Sequence, residues 1–201
     1  MPPLHLHALV PMKQLTLAKS RLATALDPPA RRRLARAMLE HVLDVLISMP
    51  EVIERIWVIS HDRTVRDLAT ARGASPLIEQ GTSLNEALEA GRIAATAAGA
   101  TGLLVLPADV PLVASADIEG IKQALVAGAA VVLTPDSAGT GTNALGLWLP
   151  STFPFQFGTG SFQQHRATAA QLGLTIAIFR SPRLALDVDT PEQLTVLTKK
   201  S

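Results

Sequence analysis

The chain has 201 residues, 48% of them hydrophobic, and a mean hydropathy of +0.28, so it can bury one sizeable core and we expect one domain over residues 1–201. Its 18 basic and 17 acidic side chains nearly balance, which excludes the strong basic excess that is typical of nucleic-acid-binding proteins. The chain contains no cysteine, which excludes disulfides, thiol catalysis and Cys-rich zinc sites.

Strands and helices alternate over the first two thirds of the chain. Short apolar runs predict strands at Leu6–Val10, Ile56–Ile59, Pro76–Ile78, Leu103–Leu106 and Ala130–Leu133. Capping signals and helical spacing of apolar residues predict helices that begin near Asp27, Asp62, Ser83 and Ser115. Such alternation is typical of a doubly wound α/β sheet.

The pattern becomes less regular after Pro135. The elements predicted there are a polar loop at Asp136–Asn143, strands at Ala144–Leu149, Leu174–Phe179 and Leu184–Val188, a helix with Ser161 as its N-cap, and a last helix after the capping box Thr190–Gln193.

Asp109 follows the wholly apolar run Leu103–Leu106, which has helical patterns on either side and is typical of a central strand buried on both faces. Ligands of open α/β sheets bind outside the carboxyl ends of the strands, so an acid at this position is a candidate for holding a cation or a substrate. A turn-forming aspartate between Pro107 and Pro111 is the commoner explanation of this stretch taken alone.

A second acidic stretch places Asp187 and Asp189 two residues apart. In an extended segment both side chains would point the same way, while Val188 would face the core. Adjacent carboxylates repel unless a cation lies between them, and a role at the start of a helix would explain Asp189 but not Asp187. If Asp109 lies nearby, three carboxylates converge, and a set of oxygen ligands of this kind suits Mg²⁺.

Three cations, Lys13, Lys19 and Arg21, follow the first strand, at a place where phosphates could be held. An ordinary basic start of a helix explains them equally well from composition. A P-loop is excluded, because that motif needs glycines where this chain has Lys13 and Ala18.

The segment Gly158–Ser161 precedes a helix and offers free amides and a helix N-terminus to a carboxylate or a phosphate. A plain capping box of Ser161 and Gln164 explains the serine equally well, but it does not explain the two glycines. The Gly139–Thr142 loop has the same ambiguity. His165 follows the anion loop and could contact a substrate, whereas no Ser-His-Asp arrangement is indicated.

No apolar run approaches the ~18 residues that a membrane span needs, and the first residues lack the pattern of a secretory signal. We therefore expect a soluble cytoplasmic protein that binds neither nucleic acid nor membrane.

Six segments of the chain resemble, in order and spacing, those of one enzyme family. They are Val10–Leu22, Gly81–Asn85, Pro107–Leu112, Gly139–Ala144, Phe157–Phe162 and Leu186–Pro191. The family is CofC/FbiD, the guanylyltransferases of coenzyme F-420 biosynthesis. The resemblance implies a single nucleotidyltransferase domain with the glycosyltransferase-A-like, nucleotide-diphospho-sugar transferase fold: a mainly parallel sheet with one antiparallel strand and helices on both faces.

The resemblance also implies a reaction, transfer of GMP from GTP to the phosphate of a small phosphorylated acid with release of diphosphate. By position, Mg²⁺ would be held by Asp109, Asp187 and Asp189, which together with Lys19 would be the catalytic residues. The carboxylate and phosphate of the acid would be bound by Thr142, Gly158 and Ser161. The nucleotide would be bound by Lys13, Lys19 and Arg21 at its phosphates and by Gly81, Ser83 and Asn85 along its nucleoside.

The attacking group in this reaction is already a phosphate anion, with a second pKa near ~6, so no general base is required. We expect phosphoenolpyruvate as the acceptor, with 2-phospho-L-lactate and 3-phosphoglycerate as alternatives for the same reaction. Competing interpretations are a sugar-phosphate or molybdopterin nucleotidyltransferase and a non-catalytic nucleotide-binding subunit. A homodimer is left open.

Overall fold

The computed structural model of the protein describes residues 3–16, 19–79 and 81–200, excluding the side chain of Lys200. The strands are β1 (Leu6–Pro11), β2 (Arg55–Ser60), β3 (Ser75–Ile78), β4 (Gly102–Val105), β5 (Val131–Pro135), β6 (Thr142–Trp148) and β7 (Ile176–Ile178). They form one seven-stranded sheet in the order β3, β2, β1, β4, β6, β5, β7. Only β6 runs against its neighbours, β4 and β5, so the predicted mainly parallel α/β sheet with one antiparallel strand is confirmed.

Helices cover both faces of this sheet. They are α1 (Pro28–Ile47), α2 (Arg63–Ala71), α3 (Leu84–Ala97), α4 (Ser115–Val126), α5 (Ser161–Gln171) and α6 (Pro191–Lys200), with a short 3₁₀ helix at Ser20–Leu22. Buried residues of α1, α2 and α4 pack on one face, and those of α3 and α5 pack on the other. Helix α6 contributes to a third, smaller cluster that contains Leu22, Met38, Leu186 and Val188.

Strand β4, at the centre of the sheet, is apolar throughout because both of its faces are covered. In β4 and the residue after it, Leu104 and Leu106 pack towards α1 and α4, while Leu103 and Val105 pack towards α3 and α5. All four side chains are fully buried. An uninterrupted apolar run is what a doubly covered parallel strand requires, and it places Asp109 three residues after the last of these side chains.

The helix starts follow the local capping signals in most cases. The Asp27 carboxylate accepts a hydrogen bond from the Ala30 amide at 2.7 Å, and the Ser83 hydroxyl accepts one from the Glu86 amide at 3.3 Å. At the last helix the capping box is reciprocal. The side-chain oxygen of Gln193 accepts from the Thr190 main-chain amide at 2.9 Å, and the main-chain amide of Gln193 donates to the Thr190 hydroxyl at 3.4 Å. These contacts satisfy amides that the first helical turn leaves free.

Three predicted elements differ in the structure. Ser161 is not the N-cap of α5, because that position is taken by Gly160 in the left-handed conformation, with φ of 72°. The expected strand Leu184–Val188 is absent: its first residues form a turn closed by the Ala185 amide and the Ser181 carbonyl. The strand predicted at Leu174–Phe179 is reduced to the three residues of β7, at the edge of the sheet.

In the described part of the chain, none of the helices has the length and apolar character needed to cross a membrane.

Candidate active site

A cavity of about 620 Å³ opens at the edge of the sheet where β1, β3 and β4 end. Its volume is in the range of small-molecule sites. The residues that line it and matter below are Met12, Lys13, Lys19, Arg21, Glu79, Thr82, Leu84, Asp109, Phe157, Gly158 and Asp189. The cavity therefore lies at the carboxyl ends of the parallel strands, where ligands of open α/β sheets bind.

The structure brings the two acidic stretches together. The main-chain amide of Val188 donates to the carbonyl of Asp109 at 3.2 Å, which joins the loop after β4 directly to the segment before α6. Val188 is fully buried in the cluster below this edge. Asp109 and Asp189 consequently line the same cavity, although 80 residues separate them along the chain.

Lys19 lies between these two acids. Its ammonium donates to Asp109 Oδ2 at 2.9 Å and to Asp189 Oδ1 at 2.7 Å, and only 7% of its side chain is exposed. Burial disfavours the charged ammonium, but the two carboxylates outweigh burial and raise the pKa of Lys19. The residue adopts a left-handed backbone conformation with φ of 56° and ψ of 37°, which is uncommon for a non-glycine residue and sets the direction of its side chain.

Asp187 lies beside this group but has weaker partners. Its Oδ1 accepts from Gln193 Nε2 at 3.3 Å and from Asn143 Nδ2 at 3.5 Å. Burial raises the pKa of Asp187, and the nearby charges of Asp109 and Asp189 raise it further. A single ammonium therefore does not neutralise the three carboxylates at this edge.

The chemistry of these donors fits a hard divalent cation, because the three carboxylates offer only oxygen and carry excess negative charge. Over residues 3–16, 19–79 and 81–200, however, no three acidic or histidine side chains are arranged so that they could together hold a metal ion. Two of the three acids contact Lys19 instead. A cation would have to share Asp109 and Asp189 with that ammonium or displace it from them.

The anion loop forms a second part of the site. Gly158 lines the cavity and has φ of 132°, a backbone conformation that favours glycine. Thr142 and Ser161 are buried and are joined to each other, since the Thr142 amide donates to the Ser161 hydroxyl at 2.9 Å. The Ser161 amide donates to the Gly158 carbonyl at 3.1 Å. The three residues assigned to the acid thus form one connected unit, of which Gly158 lines the cavity.

His165 does not lie on the surface of the cavity, where a contact with a substrate was expected. It is fully buried, and its Nε2 accepts the Gln156 amide at 3.0 Å. Its other ring nitrogen, Nδ1, therefore carries the proton and donates to the Thr142 hydroxyl at 3.0 Å. Burial lowers the pKa of His165 to about 4, so the imidazole is neutral at physiological pH. His165 supports Thr142 from behind.

The loop assigned to the nucleoside contributes unevenly to the cavity. Thr82 and Leu84 line it. Ser83 caps α3, and the Asn85 amide group is engaged with the main chain of Phe157 at 2.8 and 3.1 Å. Gly81 has φ of 89°, and a side chain there would meet Glu86. The side chain of Asn85 therefore holds the loop in place, while Gly81 allows its sharp turn.

Lys13 and Arg21, the two less buried cations of the first loop, also line the cavity. Both are exposed, in contrast to Lys19. All three predicted cations thus line the same cavity as Asp109 and Asp189, whereas Asp187 is not among its lining residues. This gives the cavity the mixture of charges that a nucleotide and a divalent cation together require.

Sequence reasoning missed the residues that hold the second acidic stretch in place. The buried carboxylate of Asp117, at the start of α4, accepts from the Ser181 hydroxyl at 2.6 Å and from two nitrogens of Arg183 at 2.8 and 2.9 Å. The amide of Asn143 donates to the Leu184 carbonyl at 2.9 Å. These contacts fix residues 181–184, the turn that leads to Asp187. No local pattern indicates them, because their partners are at least 41 residues apart.

Solved structures with the same fold are nucleotide-handling enzymes by name. A crystal structure from Desulfovibrio desulfuricans, provisionally called a nucleotide-diphospho-sugar transferase, matches with a TM-score of 0.78 over 98% of this chain and 88% of the other at 15% identity. A nucleotidyl transferase from Methanothermobacter matches with a TM-score of 0.66 over 98% and 97% at 14% identity. At these identities the likeness establishes the fold, which is the one expected.

Curated sequence relatives are more similar to this chain than these solved structures are. The phosphoenolpyruvate guanylyltransferase of Rubrobacter xylanophilus is 42% identical over 93% of this chain and 90% of its own length. That of Chloroflexus aggregans is 41% identical over 92% and 93%. The family model described as "Guanylyl transferase CofC like" matches residues 6–199, almost the whole chain. With its fold, its acidic edge and its relatives in agreement, the chain belongs to the CofC-like guanylyl transferase family.

Proposed function

We propose that this protein transfers GMP from GTP to the phosphate of phosphoenolpyruvate and releases diphosphate, as a step in coenzyme F-420 biosynthesis. The observation that carries the proposal is the meeting of Asp109, Asp189 and Lys19 at one cavity, next to the anion loop at Gly158. Relatives at about 40% identity that are named phosphoenolpyruvate guanylyltransferase support the choice of substrates.

The proposed reaction exchanges one phosphoanhydride bond for another. A phosphate oxygen of the acid attacks the α-phosphorus of GTP, the bond from that phosphorus to the bridging oxygen breaks, and diphosphate leaves with the electron pair. The attacking oxygen is already anionic at neutral pH, so no residue has to remove a proton. A reaction that needs no general base agrees with a cavity whose lining contains no histidine or cysteine among the described residues.

The protein has to align the attacking phosphate with the α-phosphorus of GTP and to neutralise the negative charge of the phosphates. Lys19 is suited to stabilise negative charge on the α-phosphate or the leaving diphosphate, because its ammonium is held at the strand ends by two acids. Lys13 and Arg21 supply further positive charge from the exposed side of the cavity. Charge stabilisation of this kind is a large contribution to catalysis of phosphoryl transfer.

We infer that Asp109, Asp187 and Asp189 hold Mg²⁺ together with the nucleotide. When bound, Mg²⁺ would neutralise phosphate charge and orient the triphosphate for in-line attack. The oxygen-only donor set and the raised pKa of Asp187, caused by burial and by its acidic neighbours, support this assignment. The phosphate oxygens of GTP would supply ligands that the protein alone does not provide.

The acid is expected at the unit formed by Thr142, Gly158 and Ser161. Buried hydroxyls and a glycine amide in this unit are suited to a carboxylate, and the adjacent cavity leaves the phosphate of the acid free to face the nucleotide. Phosphoenolpyruvate, 2-phospho-L-lactate and 3-phosphoglycerate share this pattern of a carboxylate close to a phosphate. They differ in a double bond, a methyl and a hydroxymethyl group.

The direct test is diphosphate release from GTP with Mg²⁺ and one acceptor at a time: phosphoenolpyruvate, 2-phospho-L-lactate, 3-phosphoglycerate or glucose 1-phosphate. We expect release with phosphoenolpyruvate, and ³¹P NMR of the product should show a new anhydride between the acid phosphate and GMP. Release with glucose 1-phosphate alone would replace the proposal by a sugar-phosphate nucleotidyltransferase. If the protein binds GTP but releases no diphosphate with any of the four acceptors, a non-catalytic nucleotide-binding subunit is favoured.

A further inference from the structure

Among the residues that the structure describes, three carboxylates line the cavity, and one of them, Glu79, has no part in the site described above. The other two, Asp109 and Asp189, both contact the Lys19 ammonium. Glu79 follows β3, and its amide donates to the Ser60 carbonyl at 3.4 Å, which continues the pairing between β3 and β2. Its position at the end of a strand is therefore set by the sheet.

The Glu79 carboxylate is free to accept hydrogen bonds. Its side chain is 21% exposed, and within the described ranges it makes none. Its carboxylate lies 3.7 Å from His61 Nε2, which is beyond hydrogen-bonding distance and belongs to a half-exposed side chain. A largely buried carboxylate at a cavity wall, without a hydrogen bond, is suited to a ligand that offers donors.

The sheet places Glu79 far from the phosphate end of the cavity. Strands β2 and β1 lie between β3 and β4. Adjacent strands are about 4.8 Å apart, so the ends of β3 and β4 are separated by roughly 14 Å. A nucleotide lying across the ends of β1 and β2, with its phosphates at Lys19, would therefore extend its base towards Glu79. Met12, Thr82 and Leu84 line the same cavity and offer mainly apolar surface to a ring.

Guanine is the base that suits a carboxylate at this point. Its N1–H and its 2-amino group are neighbouring donors on one edge, and the two oxygens of a carboxylate can accept both. Adenine presents an acceptor at N1 and has no 2-amino group, so the same carboxylate would repel it. A buried polar group left without its partner is the strongest means of rejecting an analogue.

We propose that Glu79 selects guanine by accepting hydrogen bonds from the N1–H and the 2-amino group of GTP. This inference rests on the proposed guanylyl transfer and adds to it the residue that distinguishes GTP from ATP. Glu79 contacts the base and not the reacting atoms, so it is a specificity residue whose effect should depend on the base that is offered.

The test compares GTP with inosine triphosphate, which lacks only the 2-amino group, and with ATP. We would measure kcat/KM with phosphoenolpyruvate, and nucleotide affinity by calorimetry without the acid, for the wild type, Glu79→Gln and Glu79→Ala. Glu51→Gln is the control, because Glu51 is exposed in the turn after α1 and does not line the cavity. Thermal melting of each variant checks that it is folded.

We expect the wild type to prefer GTP over inosine triphosphate by about 10-fold or more, and Glu79→Ala to lower kcat/KM for GTP by about 10- to 100-fold. In Glu79→Ala the preference for GTP over inosine triphosphate should disappear, while Glu51→Gln should keep it. A folded Glu79→Ala variant that retains the wild-type preference would overturn the assignment.

The calorimetric measurement keeps the two proposals separate. If the wild type binds GTP but transfers GMP to no acid, the proposed function fails, and the binding preference still decides the role of Glu79. If the wild type transfers GMP and the Glu79 variants keep its base preference, the role of Glu79 is wrong and the transferase assignment stands.

Discussion

The side chain of Asn85 pairs with the main chain of Phe157 through two hydrogen bonds, one accepted from the Phe157 amide at 2.8 Å and one donated to its carbonyl at 3.1 Å. Asn85 lies in the first turn of α3, beside the loop assigned to the nucleoside, and Phe157 precedes Gly158 of the anion loop. The two regions that we propose bind the nucleoside and the acid are therefore joined by one amide group.

Asn85→Ala should loosen both regions at once. We expect KM to rise by about 10-fold for GTP and for the acid, since two main-chain groups of Phe157 lose their partner and the loop loses its position. Asn85→Asp keeps the acceptor but places an oxygen against the Phe157 carbonyl, so it should be no better. Ser83→Ala is the comparison, because it removes the cap of the same helix at a cost of about 1 kcal/mol but leaves the pairing intact. An equal rise in the KM for the acid in Ser83→Ala would contradict the explanation.

Lys19→Met should separate two roles of the lysine. Loss of the ammonium should lower kcat by at least about 100-fold, as is usual when a preorganised charge is removed from a transition state. It should also free Asp109 and Asp189, so Mn²⁺ used as a probe should bind more tightly without nucleotide, measured by electron paramagnetic resonance. Lys122→Met, which removes a cation of α4 outside the cavity, is the control. Weaker Mn²⁺ binding in Lys19→Met would show that the lysine does not compete with a cation.

Asp117→Asn should destabilise the fold. The buried carboxylate has a lowered pKa, because the hydrogen bonds from Arg183 and Ser181 outweigh the effect of burial. The substituted amide leaves the buried hydrogen bonds to Ser181 and Arg183 weakened or unmade, while the half-exposed Arg183 can still be solvated, so we expect a loss of about 1 to 3 kcal/mol in the free energy of unfolding, measured with urea. Asp67→Asn, at a largely exposed i,i+4 pair with Arg63, should change it by less than about 0.5 kcal/mol.

The same contact predicts how stability responds to acid. A carboxylate with a lowered pKa stabilises the fold above its unfolded pKa of 3.8, and this contribution is lost as the pH falls through the lower folded value. The difference in unfolding free energy between the wild type and Asp117→Asn should therefore shrink below about pH 4. A difference that is independent of pH there would show that packing, and not charge, accounts for the loss.

His165 should make the protein less stable in mild acid. Its pKa is lowered from 6.5 to about 4, so between these values the unfolded chain binds a proton that the folded chain does not. The contribution of His165 to the free energy of unfolding is complete above pH 6.5 and declines by up to about 3 kcal/mol as the pH falls to 4. It does not change further below pH 4. Urea denaturation of the wild type and of His165→Asn, which does not titrate, should give curves that converge over this interval. Parallel curves would mean that the imidazole can be protonated in place.

Local signals account for most of the elements that the sequence predicted correctly. Asp27 and Ser83 begin helices because their side chains accept from amides three residues ahead, and such contacts need no knowledge of the rest of the fold. Asp109 was recognisable because an apolar run of buried β4 ends shortly before it. In each case the decisive partner lies within a few residues along the chain.

The sequence-based predictions are wrong where a residue distant in the chain determines the local structure. Ser161 satisfies the pattern of an N-cap, but its hydroxyl accepts a hydrogen bond from the Thr142 amide of β6, and Gly160 occupies the cap. The turn at 181–184 replaces a predicted strand because Asp117 and Asn143 bind its atoms from α4 and β6. No local motif marks Glu79, because a glutamate after a short strand is common.

The reversed direction of β6 has a further consequence for how this enzyme family can diversify. Because β6 runs against its neighbours, it begins at the rim where they end, and it delivers Thr142 there as its first residue. In the site proposed above, the ends of β3, β2, β1 and β4 would carry the base and phosphate contacts, while β6 and the start of α5 would carry the acceptor contacts. This division would let loops on the acceptor side be exchanged between homologues to recruit a new acid without a change in the proposed GTP-binding half.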